Sequence, residues 1–207
     1  MVAKREQLLA RVSGALAFDA SAKARSAIET WLDRLDEWNA RIDLTAARSA
    51  EELVDLMLAD ALVLAARVPR GVRVVDVGSG AGAPGLALAL LRDDLAVTLV
   101  EPLGKRVSFL RTVLGVVDRT DVTLVRGRGE TLAGKSAFDV AVSRATLSPP
   151  AWLALGSELV ASGGLVWTLL ANDPAPTHPR ATLVDEHAYV WPLTGVDRRA
   201  LTYRISG

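Results

Sequence analysis

The stretch Val74-Val75-Asp76-Val77-Gly78-Ser79-Gly80-Ala81-Gly82-Ala83-Pro84-Gly85 constrains this chain more than any other. A β-branched run ends in a turn too rich in glycine for helix or strand, and the apolar segment 86–91 follows. That order predicts strand, tight loop and helix, a unit that offers backbone amides at a helix N-terminus to a ligand. Glycine is required there because a side chain would enter the ligand's space or oppose a positive φ. Pro84 suits the first helical turn, where its missing N–H costs nothing.

Two ligand chemistries fit the loop. The run from Gly78 to Ala83 matches the G-x-G-x-x-G/A dinucleotide fingerprint. With Asp76 ahead of it, the same run matches the D-x-G-x-G-x-G turn that holds S-adenosylmethionine (SAM). Asp76 favours SAM. An acid beside a helix N-terminus repels a pyrophosphate, whereas it suits the sulfonium and ammonium groups of SAM. A tight turn without a ligand is the plain alternative. The cofactor residues expected from this stretch are Asp76, Gly78, Gly80, Gly82 and Ala83.

Around this unit the pattern alternates. Strands are expected at 73–77, 96–101, 121–126, 138–142 and 164–170, and helices at 84–92, 104–115 and 149–161. Such alternation makes βαβ units and a mainly parallel sheet, a Rossmann-like α/β fold. Gly163-Gly164 reads as the turn before the fifth strand. After a proline-rich loop, 181–191 and 198–205 read as a C-terminal antiparallel hairpin.

Residues 1–71 read as an N-terminal helical extension to a domain over 72–207. A first helix fits 4–17. Ile28, Trp31, Leu32, Leu35, Trp38 and Ile42 recur at spacings of three and four, a stripe read as core packing. A third helix starts at a capping box, Ser49 with Glu52, and continues through Leu53, Leu56, Met57, Asp60 and Leu64. A chain of 207 residues is long enough for one α/β domain and this appendage.

Composition removes several chemistries. The chain has no cysteine, so disulfides, thiolate zinc sites and cysteine nucleophiles are out. His178 and His187 lack ligand spacing, so no metal site is expected. The 24 basic and 24 acidic residues balance, and any nucleic-acid contact must rest on local arginine placement. Lys4, Arg5 and Glu6 are followed by no apolar core, and Asp60 breaks the longest apolar helical run. No leader or membrane span is therefore expected, and a cytoplasmic monomer is.

In open α/β sheets, ligands bind outside the carboxyl ends of the strands. The second strand ends at Glu101, an acid suited to two ribose hydroxyls in either ligand reading. The third runs into Arg126-Gly127-Arg128-Gly129-Glu130, placed to meet an adenine. The fourth ends at Ser143-Arg144-Ala145, with Arg144 on the substrate side; its plain alternative is a surface salt bridge. After the fourth strand there is no Asn-Pro-Pro-Tyr turn of amine methylation, and no histidine is placed as a base. Such a site suits an acceptor with an exposed lone pair, such as guanine N7.

Taken together, these segments resemble the RsmG (GidB) methyltransferases. The resemblance rests on Trp38-Asn39-Ala40-Arg41-Ile42-Asp43-Leu44-Thr45, the glycine loop through Gly85, the segment 101–111 from Glu101-Pro102 to Phe109-Leu110-Arg111, Arg128-Gly129-Glu130 and Ser143-Arg144-Ala145. It implies SAM as cofactor and transfer of its methyl group to N7 of a guanine in small-subunit (16S) ribosomal RNA. It implies ribosomal RNA or the small-subunit particle as partner. By position, Gly78, Ala83, Gly129, Glu130 and Arg144 would line the pocket, supported by Asp76 and Glu101, with Arg144 the candidate catalytic residue. The chain departs from the family at Asp43 (usually Asn), Met57 (usually His), Leu170 (usually Lys) and Ala83 (usually larger). These departures leave room for a different acceptor, or for a SAM- or RNA-binding module with little catalysis.

Overall fold

The computed structural model describes residues 2–135 and 137–207. Three helical segments lead: α1 (Val2–Ala15), α2 (Ala22–Asn39) and a third that is interrupted. The third begins as α3 (Ala50–Val54), widens into a π turn at Asp55–Ala59, and resumes as α4 (Asp60–Arg67). The sequence periodicity predicts one continuous helix here. A π turn rotates the residues after it relative to those before; Asp55 opens this one and Asp60 follows it, both buried.

Ser49 caps α3 as the sequence predicts, its hydroxyl accepting from the Glu52 amide at 3.0 Å. The reciprocal bond is displaced by one residue, since Glu52 accepts from the amide of Arg48 at 2.8 Å rather than from that of Ser49. Helix α2 stops at Asn39, short of Ile42, because the Asn39 side chain leaves the helix to accept from the amides of Leu44 and Thr45 at 2.8 and 3.1 Å.

The rest alternates: β1 (Arg73–Val77), α5 (Gly85–Leu91), β2 (Ala96–Glu101), α6 (Gly104–Val116), β3 (Thr123–Arg126), a 3₁₀ turn at Gly129–Leu132, β4 (Phe138–Ser143), α7 (Pro149–Leu159), β5 (Val160–Leu170), β6 (Ala181–Val190) and β7 (Asp197–Ile205). One seven-stranded sheet results, in the order β3-β2-β1-β4-β5-β7-β6. Strands β1 to β5 are parallel, and β7 runs antiparallel between β5 and β6. The mainly parallel sheet with a terminal antiparallel hairpin follows the sequence expectation.

Strand β5 starts earlier than its expected boundary at 164. It opens at Val160, paired with Phe138, and then shifts register so that Leu165 faces Val140. Gly163 at φ +82° and Gly164, whose Cβ would lie 2.8 Å from the Ala161 carbonyl, form this irregularity. The expected turn is thus built into the strand.

Alternate strand residues point to opposite faces, and both faces are covered. Val74, Val97, Leu99, Val140 and Val142 pack with helices α1 to α6 in one apolar cluster that spans both the leading helices and the sheet. Val75, Val77, Val100 and Ala141 pack on the other face, mainly against α7 through Trp152, Leu153 and Leu159. Truncating a fully buried residue such as Phe109 would cost about 3–5 kcal/mol. Among the described residues no helix is long and apolar enough to cross a membrane.

Candidate active site

The carboxyl ends of β1, β2 and β4 enclose a cavity of about 540 Å³, lined among others by Gly78, Gly80, Ala83, Glu101, Arg144 and Thr146. A larger apolar cavity of about 740 Å³ lies among the leading helices, away from the strand ends. Position selects the first, because ligands of an open α/β sheet bind outside the carboxyl ends of its strands.

Each part of the glycine loop is held from a different element. The amides of Gly78 and Ser79 donate to the Val100 carbonyl at 2.8 and 3.2 Å. Gly78 takes φ +77°, and a Cβ on it would strike the Thr146 side chain at 2.1 Å. Gly80 takes φ +58° and faces open space, its nearest neighbour being the Gly78 carbonyl at 3.8 Å. Gly82 does not line the cavity. It backs onto Trp31, whose ring carbon would lie 2.9 Å from an added Cβ. Pro84 sits immediately before the helix, which begins at Gly85 rather than at the proline.

Two acids underlie the loop. Glu101 is 1% exposed, and its carboxylate accepts from the amides of Gly80 at 2.9 Å and Leu103 at 2.8 Å. The Arg106 guanidinium is 4.0 Å away. Each carboxylate oxygen has more than one lone pair, so Glu101 holds the loop and retains capacity for ligand hydroxyls. Asp76 lies behind the loop, outside the cavity lining. One of its oxygens accepts from the Gly85 amide at 3.1 Å, and the other, Oδ1, is buried without a partner among the described residues. Burial pushes the Asp76 carboxyl up to about 6, against the opposing pull of the Ser79 hydroxyl, the Gly85 amide and the Arg144 charge. Gly85 is glycine because a Cβ there would lie 2.4 Å from the Asp76 carboxylate.

Arg144 reaches the cavity from the end of β4, and its partner is not a surface acid. Its guanidinium donates to the Leu56 carbonyl and, at 3.1 Å, to Asp60, with the two side chains 12% and 1% exposed. Asp60 also accepts from the Tyr189 hydroxyl at 2.6 Å and the Trp191 indole at 2.9 Å. Asp55, one π turn earlier, accepts from the Leu193 and Thr194 amides at 3.0 and 2.8 Å. Burial raises the Asp55 carboxyl above its ordinary range. The leading helices therefore clamp the hairpin and position Arg144 at once. Next to it, Ala145 adopts φ +53°, a conformation that costs a non-glycine residue roughly 1–2 kcal/mol.

Gly129 and Glu130 lie in the 3₁₀ turn after β3 and do not line this cavity. Gly129 is packed so tightly that a Cβ would lie 2.7 Å from Val77, and Glu130 is exposed. Their loop adjoins the site through the Gly127 amide, which donates to the Glu101 carbonyl at 3.2 Å. Leu44, Thr45, Leu56, Met57 and Arg106 line the cavity and were not singled out as site residues by sequence. Asn39 was a usable signal for two of them, since it fixes the Leu44-Thr45 loop.

The donor set fits a cofactor that is cationic at one end and carries a diol. Buried Asp76 and Glu101 supply negative charge, and Gly80 leaves space beside them. A pyrophosphate would meet both acids.

Comparisons with known proteins agree with this geometry. The family model described as rRNA small subunit methyltransferase G, GidB, matches residues 24–177. A ribosomal RNA small subunit methyltransferase G of Anaeromyxobacter dehalogenans is 36% identical over 207 residues, covering 96% of each chain. The protein of that name from Chromohalobacter salexigens is 34% identical over 194 residues, covering 91% of this chain and 92% of its own. Among solved structures, a Burkholderia thailandensis 1,6-didemethyltoxoflavin-N1-methyltransferase with bound S-adenosylhomocysteine superposes with TM-score 0.58 at 18% identity, covering 89% and 87% of the two chains. M. jannaschii TYW2 in complex with AdoMet gives 0.57 at 12% identity, covering 80% of each. These likenesses establish the Rossmann-like methyltransferase fold. Matched over most of its length by the family model and by relatives more than 30% identical, the chain belongs to the GidB family, rRNA small subunit methyltransferase G.

Proposed function

We propose that this protein binds SAM in the glycine-loop cavity and transfers its methyl group to N7 of a guanine in small-subunit ribosomal RNA. The observation that carries the reading is the convergence of the glycine loop, Glu101 and Arg144 on one cavity at the strand ends. SAM, when bound, supplies an electrophilic methyl group. Glu101 offers its remaining lone pairs to the ribose hydroxyls, Asp76 and Glu101 balance the ligand's positive charge, and Gly80 leaves room for it. Gly82 and Ala83 shape the loop, and the turn of Gly129 and Glu130, outside the cavity lining, stands next to the adenine side through Gly127. Arg144 donates to the O6 edge of the guanine and leaves N7 free. Guanine N7 carries its own lone pair, so the chain needs orientation rather than a general base. Its lining fits that need, with neither histidine among the cavity residues.

One observation favours a different acceptor: Met57 is buried and lines the cavity as an apolar wall. Both readings meet one experiment. Purified protein is incubated with methyl-labelled SAM and small-subunit particles, and the RNA is digested and resolved by mass spectrometry. Label in 7-methylguanosine supports the first reading; label in another nucleoside supports the second. No label in RNA overturns both.

A further inference from the structure

A second cleft, of about 250 Å³, opens at the carboxyl ends of β4 and β5 and is lined by Arg144, Trp152, Thr168, Leu170 and Arg198, with Asp173 at its rim. It shares Arg144 and Ala145 with the glycine-loop cavity, so the two spaces meet at one turn. Its volume lies just below the roughly 300–1,000 Å³ of pockets that enclose drug-sized ligands, a size suited to one flat heterocycle.

Two buried polar atoms at the cleft have no partner among the described residues. Thr168 is 2% exposed and its hydroxyl has no partner among the described residues. Arg198 is nearly buried, and its Nε likewise has none. Buried polar groups are almost always satisfied, so an unsatisfied pair beside one cleft calls for a ligand. The charge is also uneven. Arg144 and Arg198 share the single carboxylate of Asp60, at 3.1 and 3.7 Å, and Arg198 is braced over the Trp191 ring at 4.7 Å. Leu170 adds no charge, so the guanidinium pair faces the inner part of the cleft while the acid Asp173 stands at its rim.

We propose that this cleft receives the acceptor base, with Arg198 and Thr168 as specificity-determining residues beside Arg144, an inference that rests on the guanine-methyltransferase reading. Guanidinium groups only donate hydrogen bonds. Guanine offers them O6, whereas adenine presents an amino group at that position. The Thr168 hydroxyl finds its missing partner on the same base. Asp173 on the rim disfavours a phosphate and accepts from the N1–H and 2-amino group of guanine, which adenine lacks.

The test uses Thr168→Val and Arg198→Met, with Arg198→Lys as the conservative control. Because the Thr168 hydroxyl has no partner among the described residues, Thr168→Val should fold with an unchanged or higher Tm. Methyl transfer to small-subunit particles should fall in kcat/KM by about tenfold in Thr168→Val, one hydrogen bond's worth. It should fall about a hundredfold in Arg198→Met, with partial recovery in Arg198→Lys. The dissociation constant for S-adenosylhomocysteine should stay within threefold in all three. If wild type makes 7-methylguanosine and Thr168→Val and Arg198→Met match its kcat/KM, the cleft inference is overturned and the activity stands. If wild type methylates no guanine, the activity reading falls, and binding of guanosine and adenosine 5′-monophosphates to the S-adenosylhomocysteine complex decides the cleft. Guanosine-selective binding lost in Arg198→Met then supports it; equal or absent binding overturns it.

Discussion

Trp31 donates its indole N–H to the carbonyl of Ala81 at 2.9 Å, so a helix preceding the sheet holds the ligand loop from behind. The tryptophan stripe of α2 is core packing, as its spacing predicts, and at this residue it also fixes the loop. Trp31→Phe leaves that carbonyl without its donor, at a cost of about 1–3 kcal/mol. Tm should fall by roughly 3–10 °C, and SAM affinity should weaken severalfold although Trp31 does not line the cavity. Calorimetry on the folded variant checks this. Unaltered affinity would reduce Trp31 to a space filler.

Asp76 links stability to pH. Its folded-state value of about 6 lies above the ordinary 3.8. The folded protein therefore keeps a proton that the unfolded chain has lost, and stability declines as pH rises from about 4 to about 6, then levels off. At roughly 1.4 kcal/mol per pH unit, the ionised carboxylate costs about 3 kcal/mol at neutral pH. Ligand-free Asp76→Asn should melt above wild type at pH 7, with the gap closing near pH 4. A cationic ligand favours the ionised form, so wild-type SAM affinity should weaken below pH 6 and that of the variant should not. Parallel titration curves for the two proteins would remove Asp76 from the site.

Two glycines of one loop should respond differently. Gly80→Val adds bulk toward the cavity and strains a φ of +58°, so SAM affinity should fall by tenfold or more, on top of a backbone cost of at least about 1–2 kcal/mol. Gly82→Ala adds a Cβ against Trp31 and Leu86, so the main loss should be stability, about 1–3 kcal/mol. Melting curves and calorimetry on both variants separate the effects. Wild-type affinity in folded Gly80→Val would make the loop only a turn.

Arg144→Ala should reduce methyl transfer by at least a hundredfold at saturating SAM while lowering SAM affinity only modestly. Tm should also drop by several degrees, since the Arg144 guanidinium holds the Leu56 carbonyl and Asp60. Asp60→Asn should be worse for the fold, by about 3–5 kcal/mol, because it leaves two guanidinium groups facing no charge. Turnover per folded molecule is the deciding quantity. Normal turnover in Arg144→Ala would assign the residue to stability alone.

Legibility in the sequence followed range. The loop from Gly78 to Pro84 and the acid Glu101 could be read because glycine spacing and strand ends are local signals. Arg144 could be placed at a strand end, but Asp60 could not be paired with it. In sequence Asp60 looks like a charge on a helix face, and only the π turn and partners as distant as Tyr189, 129 residues later, reveal it as a buried centre. Gly129 illustrates the reverse case. A glycine read as a cofactor contact packs against Val77, because tight packing and ligand approach both require a missing Cβ.

The central claim is methyl transfer to guanine N7 in small-subunit ribosomal RNA, and the most direct measurement is 7-methylguanosine in that RNA from cells with and without this protein. Quantitative mass spectrometry of nucleosides should show the modification lost in its absence, restored by the wild-type chain, and not restored by Arg144→Ala expressed at equal level. An unchanged amount of 7-methylguanosine in cells lacking the protein would contradict the account.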